Sequence, residues 1–287
     1  MKKDEIIRVL KILIRNKLSL LGIIIILALI ITALFAPFIA PYPNQAKGEP
    51  NPEEKLQPPS SKHWFGTDYM GRDVLSRVIY GARISLLVAV AVVTLGLLIG
   101  VPLGLLAGFK GGVVDAVVMR VTDIFLSFPP LLLALLISVT LGRGLENVII
   151  ALAVSWWPWY TRLIRGMAIS IKEKPYVEVA KSMGISSWKI IGRHILPNAI
   201  SPVIVQGTMD MGSAILEASA LSFLGLGVQP PTADWGLMVS QGKDYLLNYW
   251  WYPTFPGLAI FITVLAFNLV GDVLREILDP RLRRRFL

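Results

Sequence analysis

The chain of 287 residues is 54% hydrophobic and only 16% charged, with a mean hydropathy of +0.63. Soluble domains carry about 25% charged residues, so this composition excludes an ordinary soluble enzyme and a disordered chain. There is no cysteine, which excludes a disulfide scaffold and a thiolate metal site. The two histidines, His63 and His194, lie far apart in the sequence. No metal site or bound cofactor is therefore expected in this chain.

Six long stretches with few or no charged residues follow one another. They cover residues 18–46, 84–109, 124–142, 147–161, 194–233 and 245–271. A helix needs about 20 apolar residues to cross the hydrocarbon core of a bilayer, and all but the fourth stretch supply nearly that number or more. The fourth is shorter, but Arg162 at its end can extend to the interface. The sequence therefore predicts an all-α, polytopic membrane protein with six transmembrane helices.

The first stretch follows six basic residues, as a secretory signal would, but it is longer than a signal core and ends among prolines. An uncleaved first helix is the preferred interpretation. With the N-terminus inside the cell, the inner segments hold 20 of the 28 lysines and arginines. This asymmetry predicts that both termini are cytoplasmic. The net charge of +9 is then explained by membrane flanks, not by nucleic-acid binding.

Four regions are expected. They are a cytoplasmic N-terminus with the first helix (1–37), an external loop (38–81), a core of five helices (82–275) and a basic tail (276–287) that contacts anionic headgroups. Gly96, Gly100, Gly104 and Gly108 recur every four residues in the second predicted helix. Such small-residue stripes favour close packing between helices in lipid.

The inner loop 165–198 is polar, basic and predicted to be a helical hairpin. Pro175 suits the first position of a short helix, and Gly184 can end that helix in a left-handed conformation. Ser186 or Ser187 can then cap a second helix. In that helix, Trp188, Ile191 and Ile195 share one face, whereas Lys189 and Arg193 share another. The hairpin has the character of a docking element.

The same loop carries a family resemblance. Glu178-Val179-Ala180, Gly184 and Ile195-Leu196-Pro197 resemble the cytoplasmic signature of ATP-binding-cassette importer permeases. The family pattern is Glu-Ala-Ala, three residues, Gly, nine residues, Ile, any residue, Leu-Pro. This sequence departs from it at Val179, where Ala is usual, and at His194, where Ile is usual.

Further segments along the chain are similar to the C-type subunit of dipeptide, oligopeptide and nickel importers. Before the core these are His63-Trp64-Phe65-Gly66-Thr67-Asp68, Gly71-Arg72-Asp73, Ser76-Arg77 and Tyr80-Gly81-Ala82-Arg83. Later in the chain they are Leu221 to Gly227, Trp235-Gly236, Gly271-Asp272 and Leu278-Asp279-Pro280-Arg281. The resemblance therefore spans nearly the whole chain.

The resemblance implies a type I importer permease fold with a cytoplasmic coupling-helix hairpin, in a bacterial or archaeal inner membrane. It also implies a B-type permease partner, two ATPases, an extracytoplasmic solute-binding protein and a di- or oligopeptide substrate, with nickel or glutathione as alternatives. The implied ATPase-coupling residues are Glu178, Ala180, Lys181, Gly184, Ser186, Leu196 and Pro197.

ATP hydrolysis is expected to take place in a partner. A phosphate-binding loop reads Gly, four residues, Gly-Lys-Ser/Thr. The only Gly-Lys pair, Gly242-Lys243, has Leu237 in place of the first Gly and Asp244 in place of Ser/Thr. The chain is thus predicted to be a transport subunit and not an enzyme, with ATP and Mg²⁺ bound by the partner ATPases.

Asp210 and Glu217 interrupt the fifth stretch. Ionisable groups at membrane depth usually face the protein interior or a wet cavity. Glu217 either lines the translocation path, where it meets a positive charge of the substrate, or pairs structurally with a neighbouring helix or the partner permease. The segment with Trp156 and Trp157 either forms a wall of that path or an aromatic belt at the inner interface.

Two rival classes remain at this point. A secondary transporter requires coupling carboxylates or broken helices at mid-membrane, which Glu217 and the interrupted fifth stretch permit. An intramembrane hydrolase requires Ser and His at membrane depth, whereas Ser186 and His194 both fall in the inner loop. Co-purification of two ATPases would separate an importer permease from either class.

Overall fold

The structure is a computed structural model that describes residues 16–278. Within these residues the regular secondary structure is helical, apart from one isolated bridge between Thr67 and Asp73. The predicted all-α architecture is therefore confirmed. The basic N-terminus and the basic tail with Arg281, Arg283, Arg284 and Arg285 were expected to be cytoplasmic, and they lie outside the described residues.

Nine helices of at least eight residues make up the described chain. They are α1 (Lys17–Ile39), α2 (Val74–Lys110), α3 (Gly112–Leu126), α4 (Pro130–Leu141), α5 (Leu145–Lys172), α6 (Pro175–Ser182), α7 (Leu196–Phe223), α8 (Trp235–Gly242) and α9 (Trp251–Leu278). Shorter helical turns cover Pro43–Ala46, Pro52–Glu54, Ser187–Ile190 and Lys243–Tyr245, and a π-helical turn covers Ile191–Ile195.

Three helices are long and apolar enough to cross a membrane, namely Lys17–Ile39, Val74–Lys110 and Trp251–Arg275. The pair α3 and α4 makes a fourth candidate if the two helices count as one broken span. Helices α5 and α7 each have 28 residues but contain more polar side chains. The number of six transmembrane helices stays a prediction.

The third predicted span, 124–142, is not one helix. The chain breaks between Leu126 and Pro130, and α3 and α4 meet at an angle of 86°. Pro129 and Pro130 explain the break because proline lacks the donor that a continuing helix needs and disfavours helical geometry in the residue before it.

Helices α2 and α5 are in close contact along the glycine stripe, as predicted. A Cβ atom added at Gly96 would lie 2.9 Å from the ring of Tyr160, and one at Gly104 would lie 2.4 Å from the carbonyl oxygen of Thr161. A side chain at these positions would push the helices apart. One cluster of buried apolar side chains joins this pair to α7, with members that include Val92, Leu152, Trp156, Ala214 and Leu221.

The loop between α1 and α2 is folded and held by polar contacts. Its His63 ring is buried and lies 2.8 Å from Asp73 Oδ2 and 3.1 Å from Glu54 Oε2. Asp73 also caps α2 by accepting a hydrogen bond from the Ser76 amide at 2.7 Å. The helix starts at Val74, so the expected region boundary between residues 81 and 82 falls inside α2.

The loop and the hairpin lie at opposite ends of α2. The loop is joined to the first residue of α9, since Trp251 Nε1 donates to the Thr67 carbonyl at 3.3 Å. The hairpin instead packs on Phe109, near the last residue of α2. A helix of 37 residues is about 55 Å long, so the two regions are separated by more than the thickness of a bilayer core.

Candidate translocation cavity and coupling hairpin

A cavity of about 530 Å³ lies between α5 and α7. Most of its wall comes from these two helices, and Pro130 of α4 completes it. The residues that line it are Pro130, Trp156, Trp159, Tyr160, Arg162, Leu163, Gln206, Asp210, Ser213 and Glu217. This volume is in the range of pockets that bind small molecules.

Two hydrogen bonds join the facing walls of the cavity. Trp156 Nε1 donates to Glu217 Oε2 at 3.0 Å. The Tyr160 hydroxyl donates to Asp210 Oδ2 at 2.7 Å, and Gln206 Nε2 donates to Asp210 Oδ1 at 2.8 Å. Both carboxylates are half-buried and face α5, as is typical of ionisable groups in a membrane helix.

The polar residues of α7 form one stripe. Gln206, Asp210, Ser213 and Glu217 are spaced by four, three and four residues, so they share a single helix face. Sequence reasoning identified Asp210 and Glu217 but missed Gln206 and Ser213. The helical spacing of polar residues in an otherwise apolar segment is the signal that would have found them.

The predicted pathway residues divide into two groups. Asp210, Glu217 and Trp156 come together at the cavity. Trp157 is not among the lining residues; it is buried, and its ring makes an edge contact with Phe125 at a centroid distance of 5.3 Å. The neighbouring Trp159 does line the cavity and is 55% exposed.

The inner loop forms the hairpin that its prolines and glycines indicate. Pro175 starts α6, and Gly184 follows it with a φ of +73°. The Ile185 amide bonds to the Ala180 carbonyl at 3.2 Å and the Gly184 amide bonds to the Lys181 carbonyl at 2.9 Å, which together make a Schellman ending. The left-handed conformation predicted for Gly184 is confirmed.

The second half of the hairpin differs from the expectation. Ser186 occupies the position before Ser187–Ile190, but its side chain makes no capping hydrogen bond. The helix there is only four residues long and continues as the π-helical turn. Trp188 is 68% exposed whereas Ile191 and Ile195 are buried. The predicted shared face of these three residues is wrong.

The first half of the hairpin, α6, has a buried side and an exposed side. Ala180 is only 5% exposed and packs inside the chain with Val177 and Ile190. Ala180 therefore presents little free surface in this structure, and its role in ATPase coupling stays a prediction. The exposed side is formed by Val179 at 58% and Met183 at 74%, with the exposed Glu178 beside them.

The other predicted coupling residues attach the hairpin to the membrane helices. The Lys181 ammonium lies 5.5 Å from the centre of the Phe109 ring at the end of α2. Leu196 and Pro197 form the first turn of α7, where proline is well tolerated because the amide it lacks would have no helical partner. The hairpin core packs against α2 and α5 through Phe109, Ile164 and Ala168.

The hairpin is also the connection between the two walls of the cavity. Helix α5 carries Trp156 and Tyr160 and ends at Lys172. Helix α6 of the hairpin begins three residues later, at Pro175. Helix α7 begins directly after the π-helical turn and carries Asp210 and Glu217. The hairpin is therefore covalently continuous with both walls.

Comparison with known proteins identifies the family. A family model described as the binding-protein-dependent transport system inner membrane component matches residues 100–284. The chain belongs to this family. The N-terminal TM domain of oligopeptide transport permease C matches residues 6–59. The protein is therefore an inner-membrane permease subunit of an ATP-binding-cassette transport system, as the resemblance implied.

Curated relatives of this permease are similar over most of their length. The dipeptide transport system permease protein of Alkalihalophilus pseudofirmus is 45% identical over 94% of this chain and 88% of its own. The probable D,D-dipeptide permease of Escherichia coli is 44% identical over 93% and 88%. The glutathione transport system permease of Pectobacterium atrosepticum is 41% identical over 94% and 89%.

Solved structures agree on the fold. The inward-facing MetNI methionine ABC transporter has a chain that matches with a TM-score of 0.56 and 20% identity, over 71% of this permease and 97% of that chain. An amino acid ABC transporter crystallised with histidines matches with a TM-score of 0.53 and 19% identity, over 73% and 94%. These matches confirm the expected importer permease fold.

Proposed function

We propose that this permease forms half of the translocation pathway of an ATP-driven importer for di- or oligopeptides. A B-type permease supplies the other half, two ATPase subunits bind and hydrolyse ATP with Mg²⁺, and an external solute-binding protein delivers the peptide. The dipeptide permeases among its relatives support this substrate class, at 45% and 44% identity.

The observation that carries the proposal is the covalent link from the hairpin to both walls of the cavity. Helices α5 and α7 enclose about 530 Å³ and are joined by the hairpin at one end. An ATPase that moves the hairpin would change the cavity without any contact to the solute. This is the arrangement that a two-state element biased by a distant ligand needs.

The ATPases are proposed to bind the exposed face of α6. Val179 and Met183 offer an apolar surface, and Glu178 can accept hydrogen bonds from basic groups at the rim of an ATPase groove. Gly184 sets the angle at which α6 leaves the rest of the hairpin. Lys181 and the buried Ala180 hold α6 against α2, so that force on its exposed face reaches the membrane helices.

The proposed topology places the hairpin and both termini in the cytoplasm and the α1–α2 loop outside. The separation of the loop and the hairpin by the length of α2 supports opposite sides for the two. The excess of lysine and arginine in the segments on the hairpin side supports the cytoplasmic assignment of that side.

A glutathione importer is the second candidate for the substrate. It is favoured by the glutathione permease of Pectobacterium atrosepticum, which is 41% identical over 94% of this chain. Glutathione is itself a small peptide with a free amino group, so the two candidates make the same demands on the cavity. The substrate panel below separates them.

The test is transport by the complete complex in proteoliposomes. The permease, its partner permease, the two ATPases and the solute-binding protein are reconstituted, and uptake of dipeptides, longer peptides, glutathione and Ni²⁺ is measured with and without ATP. ATP-dependent uptake of di- or oligopeptides is expected. Uptake of Ni²⁺ or glutathione alone would contradict the assignment of di- or oligopeptides as the substrate. A permease that co-purifies with no ATPase would contradict its assignment to an ATP-driven importer.

A further inference from the structure

The cavity between α5 and α7 has an excess of negative charge. Two carboxylates, Asp210 and Glu217, line it together with one guanidinium, that of Arg162. Arg162 already has a partner, because its Nη2 lies 2.5 Å from Asp123 Oδ1 on α3. Among the side chains described, those of residues 16–275, neither Asp210 nor Glu217 has an ion-pair partner. The cavity therefore favours a solute that brings a positive charge.

The two carboxylates are not equivalent. Both oxygens of Asp210 accept hydrogen bonds, from Tyr160 at 2.7 Å and from Gln206 at 2.8 Å. Glu217 accepts one bond, from Trp156 Nε1 to its Oε2 at 3.0 Å. In the described part of the chain its second oxygen, Oε1, accepts none. Glu217 is thus the carboxylate that still has an oxygen available to a ligand.

We infer that Glu217 Oε1 receives the protonated amino group of the passing solute, so that this permease prefers peptides with a free amino terminus. The inference rests on the proposed function and specifies it further. An ammonium group donates three hydrogen bonds and pairs strongly with a carboxylate in a site partly shielded from water. Asp210 is assigned a positioning role, because it holds Tyr160 in the wall.

The aromatic side chains of the cavity suit the same ligand. Trp156, Trp159 and Tyr160 line it, and aromatic faces attract an ammonium group. The exposed ring face of Trp159 also offers an apolar surface to a peptide side chain. A site with one fixed charge and a broad aromatic surface can recognise the protonated amino terminus, which all free peptides share. It can also accept their different side chains.

The wall that carries these groups is rigid. A Cβ atom at Gly100 would lie 2.7 Å from Tyr160 Cβ, and one at Gly96 would lie 2.9 Å from the Tyr160 ring, so α2 supports Tyr160 from behind. Trp156 is buried in the core shared by α2, α5 and α7. The bond from Trp156 consequently holds Glu217 Oε2 in place and leaves Oε1 as the oxygen free to bind the amino group.

The decisive variant is Glu217→Gln, which removes the charge but keeps an oxygen that can accept the bond from Trp156. Initial rates of ATP-dependent uptake are measured in proteoliposomes for one apolar dipeptide and for its N-acetylated form. For each peptide the ratio of variant to wild-type rate is taken, because the preference of the solute-binding protein then cancels. If that protein does not deliver the acetylated peptide, equilibrium binding of both peptides to the detergent-purified complex replaces uptake.

We expect Glu217→Gln to lower the rate or affinity for the free peptide about tenfold, as the loss of one charge-assisted hydrogen bond predicts. The acetylated peptide should be unaffected. Asp210→Asn should impair both peptides to the same extent, since it disturbs the wall. Glu146→Gln removes an exposed carboxylate at the first turn of the same α5 and should change neither peptide.

Equal losses for both peptides in Glu217→Gln would show that the Glu217 charge does not act on the amino group of the peptide, and would overturn the assignment. An unchanged preference for the free amino terminus would overturn it as well. The absence of any peptide uptake by the wild-type complex, in contrast, would overturn the proposed function itself, and the assignment would fall with it.

Discussion

A Cβ atom at Gly100 would lie 2.6 Å from the carbonyl oxygen of Trp157, so α2 and α5 are in backbone contact at this point. The obstacle is main chain, which cannot rotate away as a side-chain end would. Replacement of Gly100 by valine should therefore destabilise the permease by at least about 1–3 kcal/mol, the usual cost of overpacking. The measurement is the thermal unfolding midpoint of the detergent-purified protein.

The matched control is Gly166→Ala in α5. Nothing lies within 4 Å of a Cβ atom at Gly166, and alanine is the better helix former. This variant should unfold at the wild-type temperature or slightly above it. Similar losses in the two variants would contradict the account of the stripe as a close contact.

The exposed and buried sides of α6 should respond differently to charge. Met183→Asp places a carboxylate on the exposed face and should leave the unfolding temperature unchanged, while ATPase retention in a pull-down falls by about tenfold, as the loss of a well-buried interface contact predicts. Ala180→Arg forces a cation into the buried cluster with Val177 and Ile190, and should also lower the unfolding temperature. Full ATPase retention in Met183→Asp would contradict the proposed docking face.

Gly184 offers a test of backbone geometry without steric interference. Nothing lies within 4 Å of its Cβ position, so the cost of a side chain comes from the φ of +73° alone. We expect Gly184→Val to cost at least about 1 kcal/mol and to reduce peptide-stimulated ATP hydrolysis. Asparagine tolerates the left-handed conformation, so Gly184→Asn should retain most of the stimulation. Equal activity of the two variants would exclude a geometric role.

The α1–α2 loop should lose stability in acid. A hydrogen bond from Lys62, and secondarily one from His63, lowers the pKa of Glu54. Because the pKa is lower in the folded than in the unfolded state, the stabilisation is complete above the unfolded value of about 4.3 and is lost as the pH falls through the folded pKa. The Tm should therefore decrease below about pH 4.

The variant that checks this pH dependence is Glu54→Gln, which cannot change its charge. Its Tm should vary less with pH over that interval than the wild-type Tm does. Glu53→Gln, a change at the adjacent exposed carboxylate, serves as the control and should keep the wild-type profile. A wild-type slope in Glu54→Gln would remove this contact from the explanation.

Topology is tested by reporters fused after Leu287. A cytoplasmic C-terminus predicts that a fluorescent protein fused there is fluorescent in a bacterial host and that an alkaline phosphatase fused there is inactive. An active phosphatase would reverse the proposed orientation and contradict six spans with both termini inside.

The sequence predicted most reliably those features that depend on local chemistry. Pro175 and Gly184 fixed the limits of α6 because proline and glycine each favour one backbone geometry. The adjacent Pro129 and Pro130 carry an equally local signal for the α3–α4 break, but the length of the uncharged run around them predicts one span. Length and hydropathy alone therefore did not reveal an angle of 86°.

Features that depend on how helices rotate against one another were not predictable. Ala180 is small enough to pack inside the chain or to admit a partner, and only the packing on Ile190 decides between the two. The bond between Trp156 and Glu217 likewise depends on the relative rotation of α5 and α7. The sequence indicated that Glu217 faces protein or water, but not which side chain it meets.

The glycine stripe has a mechanical consequence. With backbones in contact at Gly100, Gly104 and Gly108, we expect that α2 can neither slide along α5 nor turn against it without main-chain collisions. We therefore expect α2 and α5 to move together as one rigid unit during any motion that opens or closes the pathway. We expect bending instead at the proline corner between α3 and α4, where the helix is interrupted. A cross-link placed there should arrest turnover, whereas one placed between α2 and α5 should have no effect on it.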